Sequence, residues 1–324
     1  MVEIVKSRDA LAQALALIEA GDVVAIPTET VYGLAADATN GRAVARIFEA
    51  KGRPRFNPLI AHVSSSAMAE EIGELDPLSR RLVEAFWPGP LTLVLPLKEK
   101  ASIHPLVTAG LDTVAVRMPR GFGAELIAAL GRPLAAPSAN SSGRISATTA
   151  EAVEADLGPR IPLIVDGGQT PVGLESTIVK VEGDSLRLLR PGGIAAEEIE
   201  KVAGRPLSRG GTSGVVAPGM LASHYAPNAA VRLDAQEVGR GEALLAFGPD
   251  EVAGAGGAVA ARNLSSAGDL REAASNLFTM LQELDASGAA TIAVAPVPET
   301  GLGEAINDRL RRAAAPRDSM ANGQ

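Results

Sequence analysis

One pattern constrains this chain more than any other. Short aliphatic runs of strand length alternate with polar stretches and with segments of helical period. The runs are "VVAIP" (23–27), "LIAHV" (59–63), "LTLVLPL" (91–97), "TVAVRMP" (113–119), "PLAAP" (133–137), "PLIVD" (162–166), "STIVKV" (176–181) and "LRLLRPG" (186–192). Runs this short and this apolar read as strands buried on both faces. Between them, 7–20, 41–52, 76–86, 121–130, 148–157 and 195–203 read as helices, the first with Ser7 as candidate N-cap and Gly21 as its stop, the second following a turn at Asn40-Gly41. The close pair 177–182 and 185–190 reads as a hairpin, so the sheet is predicted to be mixed. Hydrophobic residues make up 46% of the 324 but aromatic residues only 3%, so the core must be built from Ala, Val, Leu and Ile.

The texture changes at "SRGGTSGVVAPGMLASHYAPNAA" (208–230), which is rich in Gly, Ser, Ala and Pro, has no clean period and reads as a linker. Beyond it comes a smaller βα pattern: "ALLAFG", "AVAARNL", a long helix over about 268–286, "TIAVAPV" and a last helix at 302–314. The expected division is therefore 1–207, a linker or lid over 208–230, a compact Rossmann-like three-layer α/β domain over 231–315, and a frayed tail over 316–324.

Several function classes are disfavoured. With no cysteine there is no disulfide, thiolate metal site or thiol nucleophile. His62, His104 and His224 do not stand at metal-ligand spacing. The net charge of −8 argues against broad affinity for nucleic acid. No window approaches the roughly 20 apolar residues of a membrane span, and the N-terminus lacks a signal-peptide pattern, so a cytoplasmic protein is expected. There is no Walker A loop, no G-x-G-x-x-G between strand and helix, and no G-x-S-x-G elbow.

What remains is a set of polar segments that each follow or open an aliphatic run: "PTETVYGL" (27–34), "KGRPRFNPLIAHV" (51–63), "DTVAVRMP" (112–119), "APSANSSGRISATT" (136–149), "ESTIV" (175–179) and "LLRPGG" (188–193). In open α/β sheets ligands gather beyond strand ends, where such loops can converge. Each segment alone has an ordinary reading as a turn, an ion-pair partner or a core-edge residue. The basic one is different in kind. Lys51, Arg53 and Arg55 are set among Gly52, Pro54 and Pro58, and preorganised cations suit a polyphosphate more than a solvated face.

In this order, "PTETVYGL", "KGRPRFNPLIAHV", "APSANSSGRIS", "ESTIV" and "LRPGG" resemble the YrdC-like threonylcarbamoyl-AMP synthase family, and "SHYAP" with the extra α/β unit resembles its long, two-domain form. The resemblance runs from near residue 10 to near 315. It implies a YrdC-like catalytic domain with a twisted mixed sheet over 1–207. It implies a nucleotidyltransferase that converts L-threonine, bicarbonate or CO2, and ATP into threonylcarbamoyl-AMP and pyrophosphate. Partner proteins would then transfer the threonylcarbamoyl group to the adenosine beside the anticodon of certain tRNAs, with little or no direct tRNA binding here. By motif, Lys51 and Arg53 would hold phosphates and serve catalysis, with Asn57 beside them and Mg2+ on the nucleotide oxygens rather than on dedicated protein ligands. Thr113, Ser138, Ser146, Arg190 and Tyr225 would add ATP contacts. Thr30, His62, Arg117, the backbone at Ala136, and Ser176 would surround threonine. One departure is visible: Ala147 stands where the family often has proline, which implies a looser loop. Two alternatives stay open, an RNA-binding module using the basic groove and another carbamoyl-adenylate-forming enzyme.

Overall fold

The computed structural model describes residues 2–183, 185–209, 217–218 and 223–316. By internal contacts the chain forms two compact units: 1–142 with 147–220, and 143–146 with 221–324. Residues 210–216 and 219–222 of the predicted linker, and 317–324 of the predicted tail, lie outside the described residues.

In the first unit the strands are β1 (Glu3–Lys6), β2 (Val24–Ile26), β3 (Gly33–Asp37), β4 (Ile60–His62), β5 (Leu91–Pro96), β6 (Thr113–Arg117), β7 (Leu134–Ala135), β8 (Leu163–Asp166), β9 (Thr177–Glu182), β10 (Ser185–Arg190) and β11 (Ser208–Arg209). Among the described residues they form one sheet in the order β1-β8-β2-β3-β7-β4-β6-β5-β9-β10-β11. It is mixed, as expected. β4 and β6 run parallel, β5 and β6 antiparallel, and β9 and β10 form the antiparallel hairpin. The helices of this unit are α1 (Ser7–Glu19), α2 (Gly41–Lys51), α3 (Ser66–Ile72), α4 (Pro77–Phe86), α5 (Pro105–Thr108), α6 (Phe122–Leu130), α7 (Ala150–Leu157) and α8 (Ala196–Ala203).

Local chemistry sets their ends. Asn40 caps α2 by accepting from the backbone N–H groups of Arg42 and Ala43, and Gly52 ends it in the left-handed region at φ 58°. Ser7 is not the N-cap of α1. Lys6 takes that position, without a side-chain bond, and Ser7 is the first helical residue. β1, β3, β11, α3 and α5 were not predicted: β1 is mostly exposed, β3 continues the "PTETVYGL" segment into "AAD", and β11 falls on the first two residues of the predicted linker.

The second unit holds β12 (Ala230–Arg232), β13 (Ala243–Ala246), β14 (Ala261–Asn263), β15 (Thr291–Val294), α9 (Leu270–Ala286) and α10 (Leu302–Ala314). Its described strands form a wholly parallel sheet in the order β12-β15-β13-β14. The α9 face made by Ala273, Ala274, Leu277, Phe278, Leu281 and Leu284 is buried at helical spacing.

"LRPGG" has a steric explanation. A Cβ on Gly192 would stand 2.4 Å from the Glu175 carbonyl oxygen and 2.5 Å from the Thr177 nitrogen, so only glycine lets the 190–193 turn close on the 175–177 segment. Gly192→Ala is expected to lower stability by about 1–3 kcal/mol, because the opposing atoms are backbone. Gly256→Ala, with open space around the new methyl group, should stay within about 0.5 kcal/mol. Urea denaturation of the two variants side by side checks this.

Candidate functional site

Side chains alternate along strands, and the register here sorts them into two faces. Ile60 pairs with Ala115 and His62 with Arg117. Val94 pairs with Ala115, and Thr92 with Ile178. One face of β4, β5, β6 and β9 therefore carries Ile60, His62, Thr92, Val94, Thr113, Ala115, Arg117 and Ile178, with Ser176 two residues before Ile178. The opposite face carries Ala61, Leu91, Leu93, Leu95, Val114, Val116 and Val179, all in the main core cluster. On the first face Ile60, Val94, Ala115, Ile178 and Leu189 form a separate apolar floor, and Ala217 packs against it. The candidate residues thus run along the face of the strands as well as at their ends. Thr113 opens β6 and Arg117 closes it, roughly 13 Å apart at about 3.3 Å per residue.

At the Arg117 end, polar groups converge. Thr28 donates its hydroxyl to the Val31 carbonyl at 2.7 Å and accepts the Thr30 backbone N–H at 3.2 Å. Since the Thr28 proton is used, the 2.8 Å contact between the two hydroxyls has Thr30 as donor, which leaves the Thr30 oxygen as an acceptor. His62 Nδ1 lies 3.2 Å from the Ile60 carbonyl, which can only accept, so Nδ1 carries the proton and Nε2 is a bare acceptor. Burial first, and the Arg117 charge second, push the His62 imidazole down to about 3, so the ring is neutral. Arg117 is buried and forms an ion pair with buried Glu29 at 2.6 Å. Ser176 shares a 2.7 Å hydroxyl contact with Thr92, and Arg190 Nη2 donates to its carbonyl at 2.9 Å and its hydroxyl at 3.2 Å. The Ala136 backbone N–H donates to the Ile60 carbonyl at 3.2 Å.

The basic segment is built into the fold. Lys51, the last residue of α2, is 3% exposed, and its ammonium donates to the Ser138 carbonyl at 2.6 Å and to the Asn140 carbonyl. Burial holds its pKa well below the ordinary lysine value, and the neighbouring Arg53 charge pushes the same way. Buried Arg53 donates from Nε to the Asn57 carbonyl at 3.2 Å and from Nη2 to the Pro58 carbonyl at 2.8 Å. Asn57 is fully buried, and among the described residues neither its amide oxygen nor its amide nitrogen has a hydrogen-bond partner. Arg55, by contrast, is exposed.

The structure brings Lys51 to Ser138, Arg53 to Asn57, His62 beside Arg117, and Arg190 to Ser176. Ser146 and Tyr225 belong to the second unit. There the Tyr225 ring stacks on Phe278 with centroids 5.5 Å apart and lies under the Arg309 guanidinium at 5.1 Å. The carbonyl of Ala147 accepts the Tyr32 backbone N–H at 2.9 Å, a bond that any residue at 147 could accept. Sequence reasoning missed Glu29, Thr92, and the Asp156–Arg160 pair that binds Ser141 and the Ala50 carbonyl. The only signal for Glu29 was its place inside "PTET".

The His62 shift has a thermodynamic consequence. Between pH 6.5 and 3 the unfolded chain binds a proton there that the folded chain refuses. The stability from neutral burial is thus fully present above pH 6.5 and lost as pH falls toward 3, by up to about 1.4 kcal/mol per pH unit. In His62→Gln that part of the slope should vanish when urea midpoints are compared between pH 7 and pH 4.5.

Residues 16–192 match the family model described as telomere recombination, of the Sua5, YciO and YrdC type. Residues 194–315 match the model for the threonylcarbamoyl-AMP synthase C-terminal domain. The threonylcarbamoyl-AMP synthase of Bacillus subtilis (strain 168) is 42% identical over 95% of this chain and 93% of that protein. That of Pyrococcus abyssi (strain GE5 / Orsay) is 44% identical over 94% of each. The crystal structure of Pyrococcus abyssi Sua5 complexed with L-threonine superposes with a TM-score of 0.84 at 38% identity, covering 97% of both chains. Two family models that follow one another along the chain, relatives alike over nearly their whole length and a shared fold lead to one statement: the chain belongs to the Sua5/YrdC family of threonylcarbamoyl-AMP synthases.

Proposed function

We propose that this chain makes threonylcarbamoyl-AMP from L-threonine, bicarbonate or CO2, and ATP. The observation that carries the proposal is the pairing of two sets of buried groups. One set, Thr30, His62 and Arg117, offers two acceptors and a cation, the complement of an amino acid with ammonium, hydroxyl and carboxylate. The other, Lys51, Arg53 and Asn57, is a rigid buried cationic corner with an unsatisfied amide, suited to a triphosphate.

Arg117 would take the threonine carboxylate. Neutral His62 Nε2 and the Thr30 oxygen would accept hydrogen bonds from the amine and hydroxyl. The amine nitrogen attacks the CO2 carbon and loses a proton, giving a carbamate. A carbamate oxygen then attacks the α-phosphorus, and the bond to the β-phosphate oxygen breaks to release pyrophosphate. The protein's part is positioning and stabilisation of phosphate charge. Lys51 and Arg53 would face the phosphates, with Asn57 bonding beside them. Thr113, Ser138 and Arg190 would complete the nucleotide site, and the Ala136 backbone and Ser176 the threonine site. Among the described residues no three His, Cys, Asp or Glu side chains gather as a metal cage. Mg2+ would enter with the nucleotide, MgATP being the substrate. The packing of Tyr225 supports a role in anchoring the linker end to the second unit. The product would pass to threonylcarbamoyl-transfer proteins of tRNA modification in the cytoplasm, with little or no tRNA bound directly. Among the described residues no helix is long and apolar enough to cross a membrane.

Pyrophosphate release should require both L-threonine and bicarbonate. Serine, lacking one methyl group, should be poorer by about 1–3 kcal/mol in kcat/KM. Equal turnover without an amino acid would contradict the assignment. In the same assay, Lys51→Ala and Arg53→Ala should each lose about 1.5–3 kcal/mol in kcat/KM for ATP, while exposed Arg55→Ala should change it less than threefold. Asn57→Leu separates stability from binding. Removing an unsatisfied buried amide should leave the melting temperature of the free protein equal or higher, while the rise in melting temperature on adding MgATP should disappear.

A further inference from the structure

None of the proposed contacts uses the carboxylate of Glu29, yet it is among the most tightly held groups on this face. It is 9% exposed. Oε1 accepts from Arg117 Nη2 at 2.6 Å, and Oε2 accepts the Arg120 backbone N–H at 3.0 Å. The Glu29 carbonyl accepts the Val172 N–H at 3.0 Å, fixing the residue from behind. Arg117 Nε in turn donates to the Gly89 carbonyl at 3.2 Å. These bonds occupy Nε and Nη2 and hold the guanidinium plane at two points. The guanidinium makes no other hydrogen bond among the described residues, so Nη1 keeps its protons for a ligand.

We infer that Glu29 is a positioning residue for substrate: it orients Arg117 so that Nη1 meets the carboxylate of the amino acid. The inference rests on the reading that Arg117 pairs with the threonine carboxylate. A guanidinium is a planar fork whose value lies in the direction of its N–H groups, and an arginine stem left free would sample many rotamers. Buried and alone, it would also be an uncompensated charge that swings toward whatever carbonyl is nearest. Glu29 removes both problems. Because it already neutralises Arg117, the attraction offered to the incoming carboxylate is directional more than coulombic. Glutamine in its place could accept from Arg117 but would turn its amide N–H2 toward the Arg120 N–H, keeping one of the two bonds. Alanine keeps neither.

The test compares two ligands on the full-length protein. Isothermal titration gives the Kd of L-threonine and of L-threoninol, which has the same amine and side chain but no carboxylate. Pyrophosphate release gives kcat and the KM for threonine and ATP. Glu29→Ala should raise the threonine Kd and KM at least tenfold, with kcat and the ATP KM within threefold. Its threoninol Kd should change less than threefold. Glu29→Gln should fall between wild type and alanine. Equal weakening of threonine and threoninol, a rise in the ATP KM matching that for threonine, or an unchanged threonine Kd would each overturn the inference. If the alanine variant does not fold, the glutamine variant decides. A fall in its preference for threonine over threoninol supports positioning, and an unchanged or increased preference shows that Glu29 acts only on charge or on folding. Failure of the wild-type enzyme to need threonine would refute the underlying reading, whereas a threonine-dependent wild type with unaltered variants would refute only the role of Glu29.

Discussion

The two-residue alternation along β4, β5, β6 and β9 is the constraint on which the rest of the first unit depends. These strands are central, so both their faces are covered, yet the faces do different work. One packs Ala61, Leu93, Val116 and Val179 into the main core, and the other sets His62, Thr92 and Arg117 around a small aliphatic floor. A register slip of one residue at β6 would move Arg117 into the core and Val116 into the site, so the core packing that fixes the register also places the chemistry. That is why few polar residues suffice: four strands each present one or two groups to a common surface.

Burial changes what those groups can do. Lys51 and Arg53 would be solvated cations on the outside of the protein. Inside, they are held by the carbonyls of Ser138, Asn140, Asn57 and Pro58, which stabilise charge without cancelling it. A buried cationic corner of this kind favours an incoming anion. Asn57 extends the same logic to a neutral group. Leaving both ends of an amide unsatisfied costs stability in the empty protein, on the order of 1–3 kcal/mol, and a ligand that bonds them recovers it. Glu29 and Arg117 follow the opposite rule, since their charges cancel within the protein and leave direction as what the pair contributes.

Much of this was legible in the chain itself. The aliphatic runs mark most of the strands, the close spacing of 177–182 and 185–190 marks their hairpin, and α2 begins at Asn40-Gly41 because asparagine accepts from the N–H groups of the first turn. The segments "KGRPRFNPL", "PTET" and "SANSSG" were singled out for their polarity and rigid backbone. The illegible parts share one cause, which is dependence on distant partners. β1 is exposed on nearly every residue and is a strand only because it pairs with β8, more than 150 residues later. β3 is a strand through its pairing with β2 and β7. A glutamate between two threonines carries no mark of its own. Its partner Arg117 lies 88 positions away.

The sequence by itself determined most of the strands and helices, that the core would be aliphatic, and that three cations stand close together on a backbone restricted by Gly and Pro. These follow from local properties: period, backbone restriction and residue charge. Only the tertiary structure decided which of the three cations of 51–55 are buried, which tautomer His62 adopts, and that Arg117 is held by Glu29. Those depend on register and on the groups that folding brings within 3 Å of one another, and no local pattern encodes a distance between residues that far apart in the chain.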